Sequence, residues 1–177
     1  IDQMLEQGNT LMEAGSADRI LVQEVSKSGN AYYAYPYLSA YGGGIFAQDE
    51  SGQFDPNRVI VDSEESKKGG ELLARLGKEG VLSTNISGDN SMALFTEGRT
   101  PYLISGPWAI ESITNAGINY EISPLPTVPD GGRMQPFVGI QLFYVSANAS
   151  NPAVAEEFLL GVLPNKELQI DLYKVGH

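Results

Sequence analysis

Short apolar runs alternate with amphipathic stretches along most of this chain, and that alternation limits the fold more than any other feature. Ile20-Leu21-Val22, Ile45-Phe46-Ala47, Val59-Ile60-Val61, Tyr102-Leu103-Ile104, Tyr120-Glu121-Ile122 and Phe137 to Val145 have the length and content of strands. Gln53-Phe54 reads as the return strand of a hairpin whose turn is Asp49-Glu50-Ser51-Gly52. Between these runs lie helical patterns. Met4, Leu5, Leu11 and Met12 recur at helical spacing before Gly15. Asp62-Ser63-Glu64-Glu65 supplies a cap and first-turn acids for a helix that buries Leu72, Leu73 and Leu76 and stops at Gly80. Ser87-Gly88-Asp89 opens a shorter helix with Met92, Ala93 and Phe95 inward and Gly98 at its end. Trp108 to Asn115 forms another, ending at Gly117. Asn151-Pro152 pairs a cap with proline at the first helical position, ahead of an apolar face of Val154, Phe158, Leu159, Val162 and Leu163. The expectation is one α/β domain over residues 1–177, a mixed sheet flanked by helices.

Composition excludes several classes of function. Eleven Lys and Arg stand against 22 Asp and Glu, for a formal charge of −11, and the cations are scattered. A nucleic-acid partner, which needs clustered cations, is not expected. The chain has no cysteine, so disulfides and thiolate chemistry are out. No apolar run approaches the ~18 residues of a membrane span, and no signal peptide is visible. The chain begins at Ile1 with a helix that has no cap before it, which raises the expectation of a piece of a longer protein.

Catalysis finds little support. The one histidine is His177, the last residue. There is no nucleophile elbow, no phosphate-binding glycine motif and no cluster of metal-ligand type. The acidic turn at Asp49 lacks the spacing of a calcium loop. Neither a cofactor nor a metal is expected.

Binding is better supported. Five of the nine tyrosines fall within ten residues, at Tyr32, Tyr33, Tyr35, Tyr37 and Tyr41. Sugars present C–H faces that pack on aromatic plates and hydroxyl rims that need hydrogen-bond partners; Tyr supplies both a plate and a polar tip. On a strand, Tyr33, Tyr35 and Tyr37 would share a face, but Pro36 argues equally for a loop or a helix start. Packing in the core is the competing reading for any one of these rings. Trp108, the only tryptophan, follows Ser105-Gly106-Pro107 at a strand-to-helix junction. Pro107 presets the first turn, Gly106 admits a close neighbour, and first-turn N–H groups can bind a polar ligand. A Trp there sits either over the sheet edge as core or at the mouth of a ligand crevice.

Several ordered segments resemble one family. "Ala93-Leu94-Phe95-Thr96-Glu97-Gly98-Arg99-Thr100-Pro101-Tyr102-Leu103-Ile104-Ser105-Gly106-Pro107-Trp108" is similar to the helix–strand–Gly-Pro-Trp segment of extracellular solute-binding proteins of sugar ABC importers, the maltose/maltodextrin-binding proteins above all. Asn119 to Pro126, Pro136 to Gly139 and Ser150 to Leu159 resemble segments that follow in that family, and Tyr35-Pro36, Gly42-Gly43 and the hairpin at Gly52 fall in family order upstream.

The resemblance implies one lobe, the C-terminal one, of a two-lobe, type II periplasmic-binding-protein-like fold that closes on sugar. It also implies a membrane permease as partner and an extracellular or periplasmic location, with a lipid anchor in a segment outside this chain. By the same resemblance Trp108 and Tyr32 stack on sugar; Tyr33 from the tyrosine cluster and Gly106 and Pro107 from the first turn are the further candidate contacts. Asn30 stands where the family has a carboxylate for sugar hydroxyls, and Ala31 replaces an expected proline. Gln141, next to Gly139 and Ile140, is implied as a contact from a ligand-facing loop. The sugar is expected to be an α-linked oligosaccharide. Rivals are another disaccharide or a ferric complex on the same fold, a glycoside-processing enzyme, or a structural domain with a buried Trp.

Overall fold

The computed structural model describes residues 1–140 and 142–176. They form two compact units, Ile1–Phe137 and a second from Val138 onward.

In the first unit, α1 (Asp2–Glu13) leads to the short strand β1 (Leu21–Val22), α2 (Ala31–Ser39), β2 (Phe46–Gln48), β3 (Phe54–Val59), α3 (Glu64–Lys78), α4 (Gly88–Thr96), β4 (Tyr102–Leu103), a 3₁₀ turn (Pro107–Ala109) and α5 (Ile110–Asn115). The capping residues act as the sequence indicates. Ser63 Oγ accepts the Ser66 N–H and starts α3, with Glu64 and Glu65 in its first turn. Ser87 and Asn90 form a reciprocal capping box at α4. In α4 it is Ser91 that is buried, with Met92 and Phe95 half-buried and Ala93 exposed.

The described strands pair in two small sheets, not in the single mixed sheet expected. β1 and β4 run parallel, Leu21 opposite Tyr102 and Val22 opposite Leu103. β2 and β3 form an antiparallel hairpin with an irregular register. Its turn is fixed by Asp49, whose Oδ1 accepts from Ser51 N, Ser51 Oγ and Gln53 N at 2.8, 2.6 and 3.0 Å. Those bonds, the Ser51 hydroxyl first, hold the Asp49 carboxyl below its ordinary pKa. Residues 120–122 have no strand partner among the described residues, and Ile122 is exposed.

Two helices and the parallel strand pair enclose the core of Leu21, Tyr37, Leu72, Leu76, Val81, Val128 and Met134. Each large side chain buried there contributes about 1.5–3 kcal/mol. Helices α2 and α3 approach at backbone distance, because Gly69 has no side chain: a Cβ there would lie 2.6 Å from Leu38 Cα and 2.7 Å from the Tyr37 carbonyl oxygen. Tyr37 is fully buried and donates to Gln23 Oε1 at 2.8 Å; burial raises its pKa far above the ordinary tyrosine value.

The second unit begins with an irregular segment where a strand is expected. Val138, Ile140, Leu142, Phe143 and Tyr144 are all largely exposed and belong to no sheet. A strand apolar on both faces needs a paired edge and cover on each side, and nothing described supplies them. Asn151 Oδ1 then caps α6 (Pro152–Glu157) through Val154 N, with Pro152 in the first turn. A wider turn over Phe158–Val162 leads to α7 (Lys166–Gly176). The expected apolar face is present, but Val154, Phe158 and Val162 are exposed and only Leu159 and Leu163 are half-buried. His177 lies outside the described residues.

Candidate functional site

The tyrosine segment is a helix, which settles its open alternatives. Asn30 is the N-cap: its Oδ1 accepts the Tyr32 N–H at 3.0 Å. Pro36 sits inside α2, so the Tyr32 carbonyl lacks its usual i+4 donor. Helical spacing then divides the five rings. Tyr37 goes to the core, Tyr41 lies just beyond the helix end, and Tyr32, Tyr33 and Tyr35 stay at the N-terminal part.

Trp108 comes to the same place from the β4 junction. Its ring centroid is 6.0 Å from that of Tyr32, at an interplanar angle of 62°. Tyr33 meets Tyr32 edge-on at 5.9 Å. Trp108 keeps 59% of its surface exposed and Tyr32 keeps 39%. Core packing, the competing reading for Trp108, does not describe a ring that open.

Gly106 has a different role from the one expected of it. A Cβ there would lie 2.3 Å from Trp108 Cη2 and 2.4 Å from Cζ3, so the neighbour it admits is the indole itself, folded back over the glycine. The first-turn N–H groups also differ from expectation. Pro107 has none, Ala109 N–H bonds the Gly106 carbonyl at 3.0 Å, and Ile110 N–H bonds the Pro107 carbonyl. Only the Trp108 N–H is left over, so this turn is no anion cradle; its use is to aim the ring.

Phe137 is a fourth aromatic that sequence reasoning passed over. It stacks on Tyr35 at 3.9 Å and 20°, and its ring lies 5.6 Å from that of Tyr32. Tyr32 Oη reaches the Phe137 carbonyl at 3.5 Å. Ser39 on α2 anchors the approach: its Oγ accepts the Gln135 N–H at 3.0 Å and donates to the Gln135 carbonyl at 2.9 Å. Reading Phe137 as the start of a strand hid this contact; only its place beside Pro136 marked it as a junction.

Trp108, Tyr32, Tyr33 and Asn30 therefore gather at one end of α2, with Gly106 and Pro107 behind the indole. Gln141 lies outside the described residues. The arrangement offers an open, rigid aromatic surface with polar tips. Among the described residues no three His, Asp or Glu side chains converge as metal ligands, and no helix is long and apolar enough to cross a membrane.

The family model for bacterial extracellular solute-binding proteins matches residues 1–159. The chain belongs to that family. Among curated relatives, this solute-binding chain is 38% identical over 130 residues to a galactooligosaccharide-binding protein of Bacillus subtilis, covering 71% of the chain and 31% of the relative. A maltodextrin-binding protein of the same species is 28% identical over 129 residues, 72% of the chain and 31% of the relative. A maltooligosaccharide ABC transporter solute-binding lipoprotein of Streptococcus pneumoniae is 25% identical over 130 residues, 73% of the chain and 31% of the relative. The matches thus span about a third of the length of those relatives, all of which are named as binding proteins. The family is an extracellular one.

Proposed function

We propose that this chain supplies one lobe, the C-terminal one, of a two-lobe binding protein that captures a neutral oligosaccharide and passes it to the membrane permease of an ABC importer. The exposed Trp108, held edge-on to Tyr32, carries the reading. A flat ring that stays open to solvent while its backbone is pinned by a proline turn is suited to stacking on a pyranose face. Capture involves no bond-making: the sugar stacks on this lobe, and closure of the other buries it. The full-length protein is placed outside the cell, with a lipid anchor, as the name of the pneumococcal relative supports.

Two sugars compete. The sequence resemblance favours an α-linked maltodextrin, while the relative at 38% identity is named for galactooligosaccharides. Asn30 bears on the choice. Its carbonyl oxygen already accepts the Tyr32 N–H and keeps one lone pair, and its NH2 adds donors that a carboxylate lacks. That departs from the carboxylate of the maltodextrin pattern, and the galacto-series rests on the relative at 38% identity. Calorimetric titration of the full-length protein with maltotriose and galactotriose decides between them. Tighter binding of galactotriose supports the galacto-reading, tighter maltotriose reverses it, and no heat with either ends the proposal. Product formation from either sugar would replace it with a glycoside-processing enzyme.

A further inference from the structure

A cavity of about 300 Å³ opens at the Asn30 end of α2, walled by α2, α3 and the segments that follow β1 and α3. It reaches the lower end of the volumes, about 300 Å³ upward, that hold small molecules. Its lining is divided as a sugar ring is divided. Val25, Ala34, Leu73 and Leu82 give it apolar walls. Gln23, Glu24 and Asn30 bring polar groups to it.

Gln23 is the unusual member. It is 97% buried, since only 3% of it is exposed. Tyr37 Oη donates to its Oε1 at 2.8 Å, and since no buried side-chain nitrogen or oxygen among the described residues lacks a partner, its amide nitrogen is open to solvent. A ligand hydroxyl would take the place of the solvent that this amide nitrogen meets. Glu24 is half-buried and makes no ion pair among the described residues. Its Oε2 lies over Gly88 at the first turn of α4, 3.3 Å from where a Cβ would stand, where the positive end of the helix favours a carboxylate. Asn30 connects the cavity to the platform: it lines the one and caps the helix that carries Tyr32.

We propose that this cavity is a subsite for one hexose unit of the oligosaccharide whose other rings stack on Tyr32 and Trp108. Glu24 accepts from its hydroxyls, and Gln23, oriented by Tyr37, fixes the ring from the buried side. The inference rests on the oligosaccharide reading above and adds the subsite that sets the preferred chain length.

The test fills the cavity from α3. Gly77 lines it, and a Cβ there meets nothing within 4 Å, so Gly77→Leu projects into open space without straining the helix. Full-length wild type, Gly77→Leu, Glu24→Gln and Trp108→Ala are titrated with di-, tri- and tetrasaccharides of the galacto- and maltodextrin series, with circular dichroism to check folding. Wild type should gain affinity up to the length that reaches the cavity. Gly77→Leu should lose that gain, about tenfold for the longest bound sugar, and bind the disaccharide as before. Glu24→Gln should weaken the longer sugars by roughly fivefold, since a charged acceptor becomes a neutral one. If both cavity variants bind every length as wild type does while Trp108→Ala loses them all, the subsite is wrong and the platform stands. If Trp108→Ala also binds as wild type, the oligosaccharide reading itself falls.

Discussion

Gly106→Ala separates the aim of the Trp108 ring from its presence. The backbone at Gly106 is extended, with φ −137° and ψ −175°, a conformation alanine adopts freely. The new methyl, however, would stand 2.3 Å from Cη2, 2.4 Å from Cζ3 and 2.7 Å from Cζ2. Carbon contacts settle near 3.5–4.0 Å, so the indole must retreat by more than about 1 Å. Its rotation disturbs the edge contact with Tyr32 and tilts the stacking face. Losing roughly 60 Å² of stacked apolar contact costs about 1.5 kcal/mol. At 1.4 kcal/mol per decade that is about tenfold in affinity. The fold should not suffer: replacing glycine at a compatible site stabilises by about 0.4–1 kcal/mol through the unfolded chain. Calorimetry on the full-length protein with its best oligosaccharide, paired with thermal unfolding, reads both quantities. Affinity down about tenfold at an unchanged or higher Tm is expected. Unchanged affinity would refute the claim that the ring over Gly106 is the stacking surface.

Other perturbations test the supports of the site. Asn30→Ala removes the α2 cap and should cost about 1 kcal/mol in denaturant unfolding, whereas Asn30→Asp keeps the acceptor and should cost little; equal losses would deny the cap. Gly69→Ala puts a methyl 2.6 Å from Leu38 Cα, and overpacking of about 1–3 kcal/mol should exceed the helix-propensity gain of about 1 kcal/mol; a stabilised variant would contradict the close helix pair. Asp49 has its pKa lowered by the bonds from Ser51 and Gln53. Its stabilising effect on the hairpin is therefore complete above the ordinary carboxylate pKa and fades only as pH falls through the lowered value. An NMR titration should give Asp49 a midpoint below the ordinary Asp range, and an ordinary midpoint would show the turn is not closed in solution.

Local signals in the sequence were reliable where the cause is local. Ser63, Ser87 and Asn151 announce their helices because a cap needs only its own turn. The hairpin at Asp49–Gly52 and the strands at Leu21–Val22 and Tyr102–Leu103 were equally legible, though not that the two strands pair in parallel. The tyrosine helix was legible only as one alternative. Pro36 argued equally for a loop or a helix start, and its place inside α2 is tolerated because the cap at Asn30 and burial against α3 hold the turn. Residues 120–122 and 137–145 look like strands because their side chains are apolar, yet a strand also requires an edge to pair with, which no local pattern can show. At the site, the meeting of Tyr32 with Trp108 was reached through family likeness, since positions 76 residues apart have no common local signal. Phe137 was missed for the same reason. Gly106 was read correctly as a close approach, but the approaching group was its own neighbour two residues on.

Calorimetric comparison of the full-length protein with its Trp108→Ala variant, titrated with maltotriose and galactotriose, tests the central claim most directly. An open aromatic platform for a neutral oligosaccharide predicts saturable binding of at least one sugar by wild type and a loss of about tenfold or more in the variant, with unfolding unchanged, because Trp108 is exposed and supports no core. Equal affinity in the two proteins would contradict it.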